Sequence, residues 1–552
     1  MLQVRQGKRP VRGLGLMACL GLFLLVGAAP AWAQVEERPL APPVSVADDD
    51  LTTALETGEL TEAEYSLERA RSLFRLGQVR REFGDVARAS AHDATLILRD
   101  LAARVDDLAG AEEAVAERIL ARPDFGGVPI KGSGWGNFAE AQASPKCAEN
   151  VCVHWVDDTS SSDVPPPEDG DDNGIPDWVD LTLATWRYVW IQEIDTIGYR
   201  APLSDASSPN GGTRKLDVYL DDLGGLGYFG YCASDDPAAG DRRVSAYCVI
   251  DNDFSQSQYG TEHTSQEFLE VTSAHEFHHA SQFAYDWAED AWLMEGTAAD
   301  IEETVYPDVN DNVFFLRNWS PLTRPASPLD RGGAGDSEYG SWIFWRYLQE
   351  KVGGDPSIVR EIWERVEGRD NYSLEAVRHE LSQRGLGFAA VFANFATANR
   401  RLDYADAVDA GYPSPGLTKT YTVAQQSPDT SWRSWRINHL ATRYFSFKPG
   451  QVPADARLRV STRLPQNGAA ATLIIVESDG STTTRRLQKQ ANGSAAGTTR
   501  FGKEEISRIE VVLSNGSTRT SCWKFFGPPA YSCAGDPLDD GRVFELRGKL
   551  LR

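Results

Sequence analysis

From Ser265 to Asp286 the chain runs without a proline or glycine, and Phe268, Leu269, Val271 and Thr272 lead at helical spacing into Ala274-His275-Glu276-Phe277-His278-His279. Apolar residues recurring at three and four positions predict a buried helix here. On it His275 and His279 stand one turn apart on the same face, so both imidazoles can grip one ion. Glu276 sits beside that face. His278, one residue further round, is a worse-aimed competitor. A second stretch, Trp292-Leu293-Met294-Glu295-Gly296-Thr297-Ala298, falls in a further helix expected from about Ala291 to Glu303. With only 8 histidines in 552 residues, the pair is a specific signal. Any fold for this chain must therefore bring two helices, one carrying imidazoles and one carrying carboxylates, against a common point.

The residue types point to zinc. A catalytic zinc takes three protein ligands and keeps a fourth position open. His275, His279 and Glu295 are the expected set, with Glu289, Glu302 and Glu303 as alternatives to Glu295. Glu276 is then the expected general base, taking a proton from an activated water and passing it to a leaving amine. The developing oxyanion needs a donor, for which Tyr339, Tyr285 and His263 are candidates and Tyr339 is preferred.

The two strings His-Glu-Phe-His-His and Trp-Leu-Met-Glu-Gly-Thr-Ala resemble the gluzincin arrangement, in which the third zinc ligand is a Glu on a following helix. More narrowly, Leu216-Asp217-Val218-Tyr219-Leu220, Val249-Ile250-Asp251-Asn252-Asp253-Phe254 and Tyr339-Gly340-Ser341-Trp342-Ile343-Phe344-Trp345 make the chain similar to a family of secreted bacterial proteins inferred to be metalloproteases. The span is about a quarter of the chain. The resemblance implies a zincin-like catalytic domain, Zn2+ as cofactor, and endopeptidase action on protein or peptide substrates. The interval from His279 to Glu295 is shorter than in the best-known gluzincins. Two other functions fit the same residues: a catalytically inactive, zinc-stabilised extracellular binding or adhesion protein, and a zinc hydrolase of a non-peptide amide or ester. Glu276 argues against the first, because a structural metal has no use for a base.

The N-terminus predicts export. Arg5, Lys8, Arg9 and Arg12 precede the apolar run Leu14 to Ala29, and Ala31-Trp32-Ala33 is a small-x-small cleavage site, so residues 1–33 read as a signal peptide. The rival reading, a lipobox at Leu16-Met17-Ala18-Cys19, has few apolar residues before its cysteine. No later stretch approaches the roughly 20 apolar residues of a membrane span. Of 7 cysteines, Cys19 leaves with the signal and six form local pairs, Cys147 with Cys152, Cys232 with Cys248 and Cys522 with Cys533. Three disulfides are expected, as suits a secreted, extracellular or periplasmic protein. A net charge of -25 argues against nucleic acid and anionic membrane as partners. Oligomeric state has no signature in the sequence.

Asp169-Gly170-Asp171-Asp172-Asn173-Gly174-Ile175-Pro176-Asp177-Trp178-Val179-Asp180 follows the spacing of a calcium loop. Asp169, Asp171, Asn173, Ile175 (through its carbonyl), Asp177 and Asp180 are the expected ligands of a structural Ca2+, with the shorter Asp180 where a Glu is usual. The alternative is an acidic, solvated linker after Pro165-Pro166-Pro167. The expected architecture is α+β. Residues 34–125 are a helical segment and candidate propeptide, 147–410 a zincin-like metallopeptidase domain, and 415–552 a β-sandwich accessory domain. Strands are expected at Val151–Trp155, Leu216–Leu220 and Ala246–Ile250, with Leu216–Leu220 as the edge that pairs with substrate. Helices are expected at Tyr339–Lys351, Ser357–Val366, Leu374–Arg384 and Phe388–Arg400.

Overall fold

In the computed structural model the described residues are 40–44, 47–123, 138, 141–205, 210–235, 242–332, 337–366, 371–523 and 531–551. The expected signal at 1–33 lies outside them. The chain is mixed α+β with several sheets. Four helices come first: α1 (Asp50–Thr57), α2 (Glu62–Phe83), α3 (Ala94–Ala102) and α4 (Ala111–Leu120). Asp49 caps α1 by accepting from the Thr52 N–H, and Thr61 with Glu64 forms a capping box at the start of α2. Every residue of α3 is buried. The helix lies between α2 and the central sheet, and its leucines and isoleucine share one hydrophobic core with the helices that carry His275 and Glu295.

The central sheet has strands β1 (Lys146–Cys147), β2 (Val151–His154), β3 (Leu216–Asp221), β4 (Gly230–Ala233) and β5 (Tyr247–Asp251), in spatial order β1-β2-β3-β5-β4. β2, β3 and β5 are parallel; β1 and β4 are antiparallel edges. The stretch expected to be the substrate-pairing edge, Leu216–Leu220, is instead the middle strand. All six residues of β3 are buried, as befits a parallel strand covered on both faces. Side chains alternate across the sheet. Cys232 and Cys248 face the helix that carries His275, their sulfurs 3.0 and 3.8 Å from the Glu276 carbonyl oxygen. Tyr247 therefore faces the other way, where its hydroxyl donates to the Leu120 carbonyl at the end of α4.

Helices α5 (Asp177–Trp190), α6 (Gln256–Tyr259), α7 (Ser265–Asp286), α8 (Ala291–Val305), α9 (Val313–Trp319), α10 (Ser337–Gly340), α11 (Trp342–Leu348), α12 (Ser357–Trp363), α13 (Leu374–Gln383) and α14 (Phe388–Arg401) build the rest of this half. The expected single helix from Tyr339 is interrupted at Ser341, with α10 ending at Gly340. A Cβ on Gly340 would lie 2.7 Å from the Trp319 carbonyl oxygen, so the glycine permits the close crossing of α9.

Beyond α14, β6 (Lys419–Val423), β7 (Arg433–Ile437), β8 (Ala441–Pro449), β9 (Arg457–Arg463), β10 (Ala469–Glu477), β11 (Thr482–Arg486), β12 (Ser494–Arg500), β13 (Ile506–Asn515) and β14 (Arg542–Leu551) form two sheets, ordered β11-β10-β13-β8-β6 and β12-β9-β14-β7. Inward residues of both, such as Phe445, Leu473 and Val511 from one and Leu458, Val460 and Phe544 from the other, share one core. Arg400 of α14 grips Glu510 of β13 through two contacts of 2.8 and 2.7 Å. The three disulfides join Cys147 to Cys152, Cys232 to Cys248 and Cys522 to Cys533. Among the described residues no helix is long and apolar enough to cross a membrane.

Candidate metal centre

α7 starts at a capping box made by Thr264 and Glu267 and is buried from Val271 to its end. His275 and His279 face one way from it, their Nε2 atoms 3.1 Å apart. α8 begins at Asp290, whose carboxylate accepts from the Trp292 N–H, and lays Glu295 across the pair. Gly296 makes that placement possible: a Cβ there would sit 2.5 Å from Ser341 Oγ and from Trp345 Nε1. Glu295 Oε2 lies 3.3 Å from His275 Nε2 and 3.5 Å from His279 Nε2.

These three edges decide what the site suits. Ligands about 2.0–2.1 Å from a tetrahedral zinc stand about 3.3 Å from one another. The triangle of 3.1, 3.3 and 3.5 Å matches that spacing. Its corners are 2%, 0% and 1% exposed, and neither oxygen of Glu295 has a hydrogen-bond partner. Burying an unpartnered carboxylate is costly unless a cation compensates it. The donor set, two imidazoles and a carboxylate, is one zinc accepts.

The remaining ring nitrogens are braced. Glu302 Oε1 takes His275 Nδ1 at 2.6 Å, and Gln282 Oε1 takes His279 Nδ1 at 2.8 Å. Gln282 donates its amide to the Met294 carbonyl at 2.9 Å, which leaves its oxygen as the acceptor. Both rings thus carry their proton on Nδ1 and turn the Nε2 lone pair to the common point. Glu276, 1% exposed, is pushed upward chiefly by burial, against the pull of His279 and His275. One of its oxygens accepts from Thr95 Oγ1 at 3.1 Å.

The other candidates separate cleanly. His278 points away and bonds Glu193 at 2.8 Å. Glu289 accepts from the Asp290 and Ser373 N–H groups, and Glu303 lies near Arg346, so neither reaches the triangle. Glu302 holds the far nitrogen of the His275 ring instead of joining the triangle. Tyr339 stacks 6.1 Å from the His275 ring, and its hydroxyl donates to Asp93 at 3.2 Å. Tyr285 accepts from the Arg200 N–H, and His263 pairs with Asp311 at 3.4 Å on the wall of a 670 Å³ cavity that His92 also lines. His92 and Thr95 escaped the sequence reading; the only trace was the rarity of histidine in the chain.

In the acidic loop Asp169, Asp171 and Asp177 bring carboxylate oxygens within 4.8 Å of one another. Asn173 Oδ1 accepts from the Ile175 N–H, whereas Asp180 pairs with Lys146 and accepts from Asn173 Nδ2. Of the four expected carboxylate ligands, Asp169, Asp171 and Asp177 therefore converge, and Asp180 is engaged by Lys146 and Asn173.

No protein-family model matches the chain, and no curated protein matches it. Among solved structures it is similar to the pre-peptidase C-terminal domain of a collagenase from Bacillus anthracis, at 11% identity and a TM-score of 0.16, over 25% of this chain and 99% of that one. A likeness so slight defines neither fold nor activity.

Proposed function

We propose that the protein is an exported zinc endopeptidase of gluzincin type with a zincin-like catalytic half. The observation that carries this reading is the buried triangle of His275, His279 and Glu295, with Glu276 beside it. The chemistry such an ion supplies when bound is Lewis-acid polarisation of a carbonyl and acidification of water. Glu276 takes the proton of the attacking water on a carboxylate oxygen and delivers it to the amine nitrogen that leaves. Glu302 and Gln282 keep the imidazoles in the tautomer that offers Nε2. Tyr339, stacked on His275, offers a hydroxyl for the oxyanion once Asp93 releases it. Asp169, Asp171 and Asp177 hold a structural calcium in the same reading. Export to an oxidising compartment agrees with the three disulfides.

The test is cleavage of an unfolded protein by the zinc-loaded chain, beside Glu276→Gln. Loss of cleavage in the variant, with one zinc still bound, supports a peptidase with Glu276 as base. Equal cleavage by both forms would remove Glu276 from the mechanism.

A further inference from the structure

The N-terminal helical layer makes direct contacts beside the triangle of His275, His279 and Glu295. β4 is an outer strand of the central sheet and lies against α7, where Gly230 has no side chain to collide with Glu276; a Cβ there would come within 2.9 Å of Glu276 Cγ. Its edge is not open. The Phe229 N–H donates to the Ala91 carbonyl at 3.4 Å, and the Cys232 N–H donates to Thr95 Oγ1 at 2.9 Å. The same Thr95 hydroxyl donates onward to Glu276, across a separation of 181 residues. Asp93 accepts the Tyr339 hydroxyl. His92 stacks on Phe229 at 4.9 Å and packs 5.6 Å from the His275 ring and 5.4 Å from Tyr339.

We infer that the outer edge of β4 is where an extended peptide binds, and that Ala91–Thr95 occupies it as an intramolecular inhibitor. The inference rests on the peptidase reading and deepens it. Each group assigned to the chemistry is covered by this segment: the base by Thr95, the oxyanion donor by Asp93, a ligand ring by His92. Strand addition at a sheet edge uses main-chain hydrogen bonds, and two of the donors near that edge are already taken.

The layer is also anchored against casual release. Arg99 reaches the Glu289 carbonyl oxygen at 2.8 Å. Arg122, just past α4, sits in a socket of Asp205, Asp217 and Asp235 at 2.7, 2.5 and 2.9 Å, and is itself 1% exposed. Withdrawing it would remove the cation that three carboxylates share. Displacement of the short stretch 91–95 is therefore easier than loss of the whole layer.

The test uses the full zinc-loaded chain, with the double variant His92→Ala/Asp93→Ala and the near-isosteric Thr95→Val. Two readouts are taken: cleavage of an unfolded protein, and affinity for a peptide hydroxamate, which needs access to the metal but no turnover. Inhibition by the segment predicts at least a tenfold gain in both for the double variant. Thr95→Val, which removes one hydroxyl from a buried site, carries the same prediction at smaller size should the double variant fold poorly. A gain in hydroxamate affinity without cleavage would uphold the inhibitor and sink the peptidase reading. Folded, zinc-bound variants that bind the hydroxamate no better than the parent, or cleave more slowly, would overturn the inhibitor and make these residues a permanent wall of the site.

Discussion

Glu302 illustrates how much a single contact changes a residue's part. By sequence it was an alternative ligand; in the fold its carboxylate meets the far nitrogen of His275 at 2.6 Å. Glu302→Gln should weaken zinc binding by about 10–100-fold, the usual effect of losing such a brace. Glu295→Ala, which removes a corner of the triangle, should cost more, and competition with a calibrated chelator measures both. Equal effects would mean that Glu302 shares the ligand role. For Glu276→Gln the expected loss is in turnover, about 10²–10⁴-fold, with zinc retained. The grouping of His275, His279 and Glu276 was legible because it is local: one turn of one helix fixes all three. Glu295 was preferred by sequence over Glu289, Glu302 and Glu303, but its approach to the pair depends on the angle between α7 and α8, which no spacing gives. Thr95 and His92 were not legible, because no helix periodicity links Thr95 to Glu276, 181 residues away, or His92 to the His275 ring.

At the level of elements, glycines set the approach of α8 and β4 to the site. Gly296→Ala gains about 1 kcal/mol of helix propensity. Against that stands a Cβ placed 2.5 Å from Ser341 Oγ and Trp345 Nε1. Overpacking of this kind costs about 1–3 kcal/mol, so the substitution should lower the Tm and weaken zinc binding together. A variant that is more stable and binds zinc normally would show that α8 has room to shift. β4 escaped the sequence reading because Gly-Tyr-Cys-Ala is too short to show alternation. β3 was found but misplaced, since Leu216-Asp217-Val218-Tyr219-Leu220 marks a strand and not which strands flank it; its buried Asp217 is matched by Arg122, from a distant part of the chain. In the acidic loop, Asp169→Ala should abolish any rise in Tm on adding calcium, measured by calorimetry in chelator-treated protein. A rise that survives the substitution would place calcium elsewhere.

Across the whole molecule, the junction between the helical half and the C-terminal sheets includes a buried ion pair. His439 bonds the Ser517 carbonyl at 2.7 Å through Nδ1 and Asp330 at 2.9 Å through Nε2, an arrangement in which only the imidazolium donates at both nitrogens. Burial opposes that charge, but Asp330, Ser517 and Asp540 outweigh it and raise the pKa. The pair's stabilisation is therefore complete below about 6.5, the unfolded value, and is lost as pH rises through the raised folded value. Thermal melts of the parent against His439→Gln should differ most on the acid side of neutrality and converge in alkali. A constant difference would remove the proton from the account. Of the architecture, the division into a helical start, a mixed middle and a β-rich end was legible from composition and periodicity. The sharing of one core by the first two was not, because amphipathic helices reveal that they pack and not upon what.

The central claim, that His275, His279 and Glu295 hold a catalytic zinc, is tested most directly by X-ray absorption at the zinc edge on protein loaded with one equivalent. The expected spectrum shows two nitrogens and a carboxylate oxygen at about 2.0–2.1 Å, with one further light ligand and no sulfur. A spectrum showing sulfur ligation or six oxygens, or one unchanged by Glu295→Ala, would contradict it.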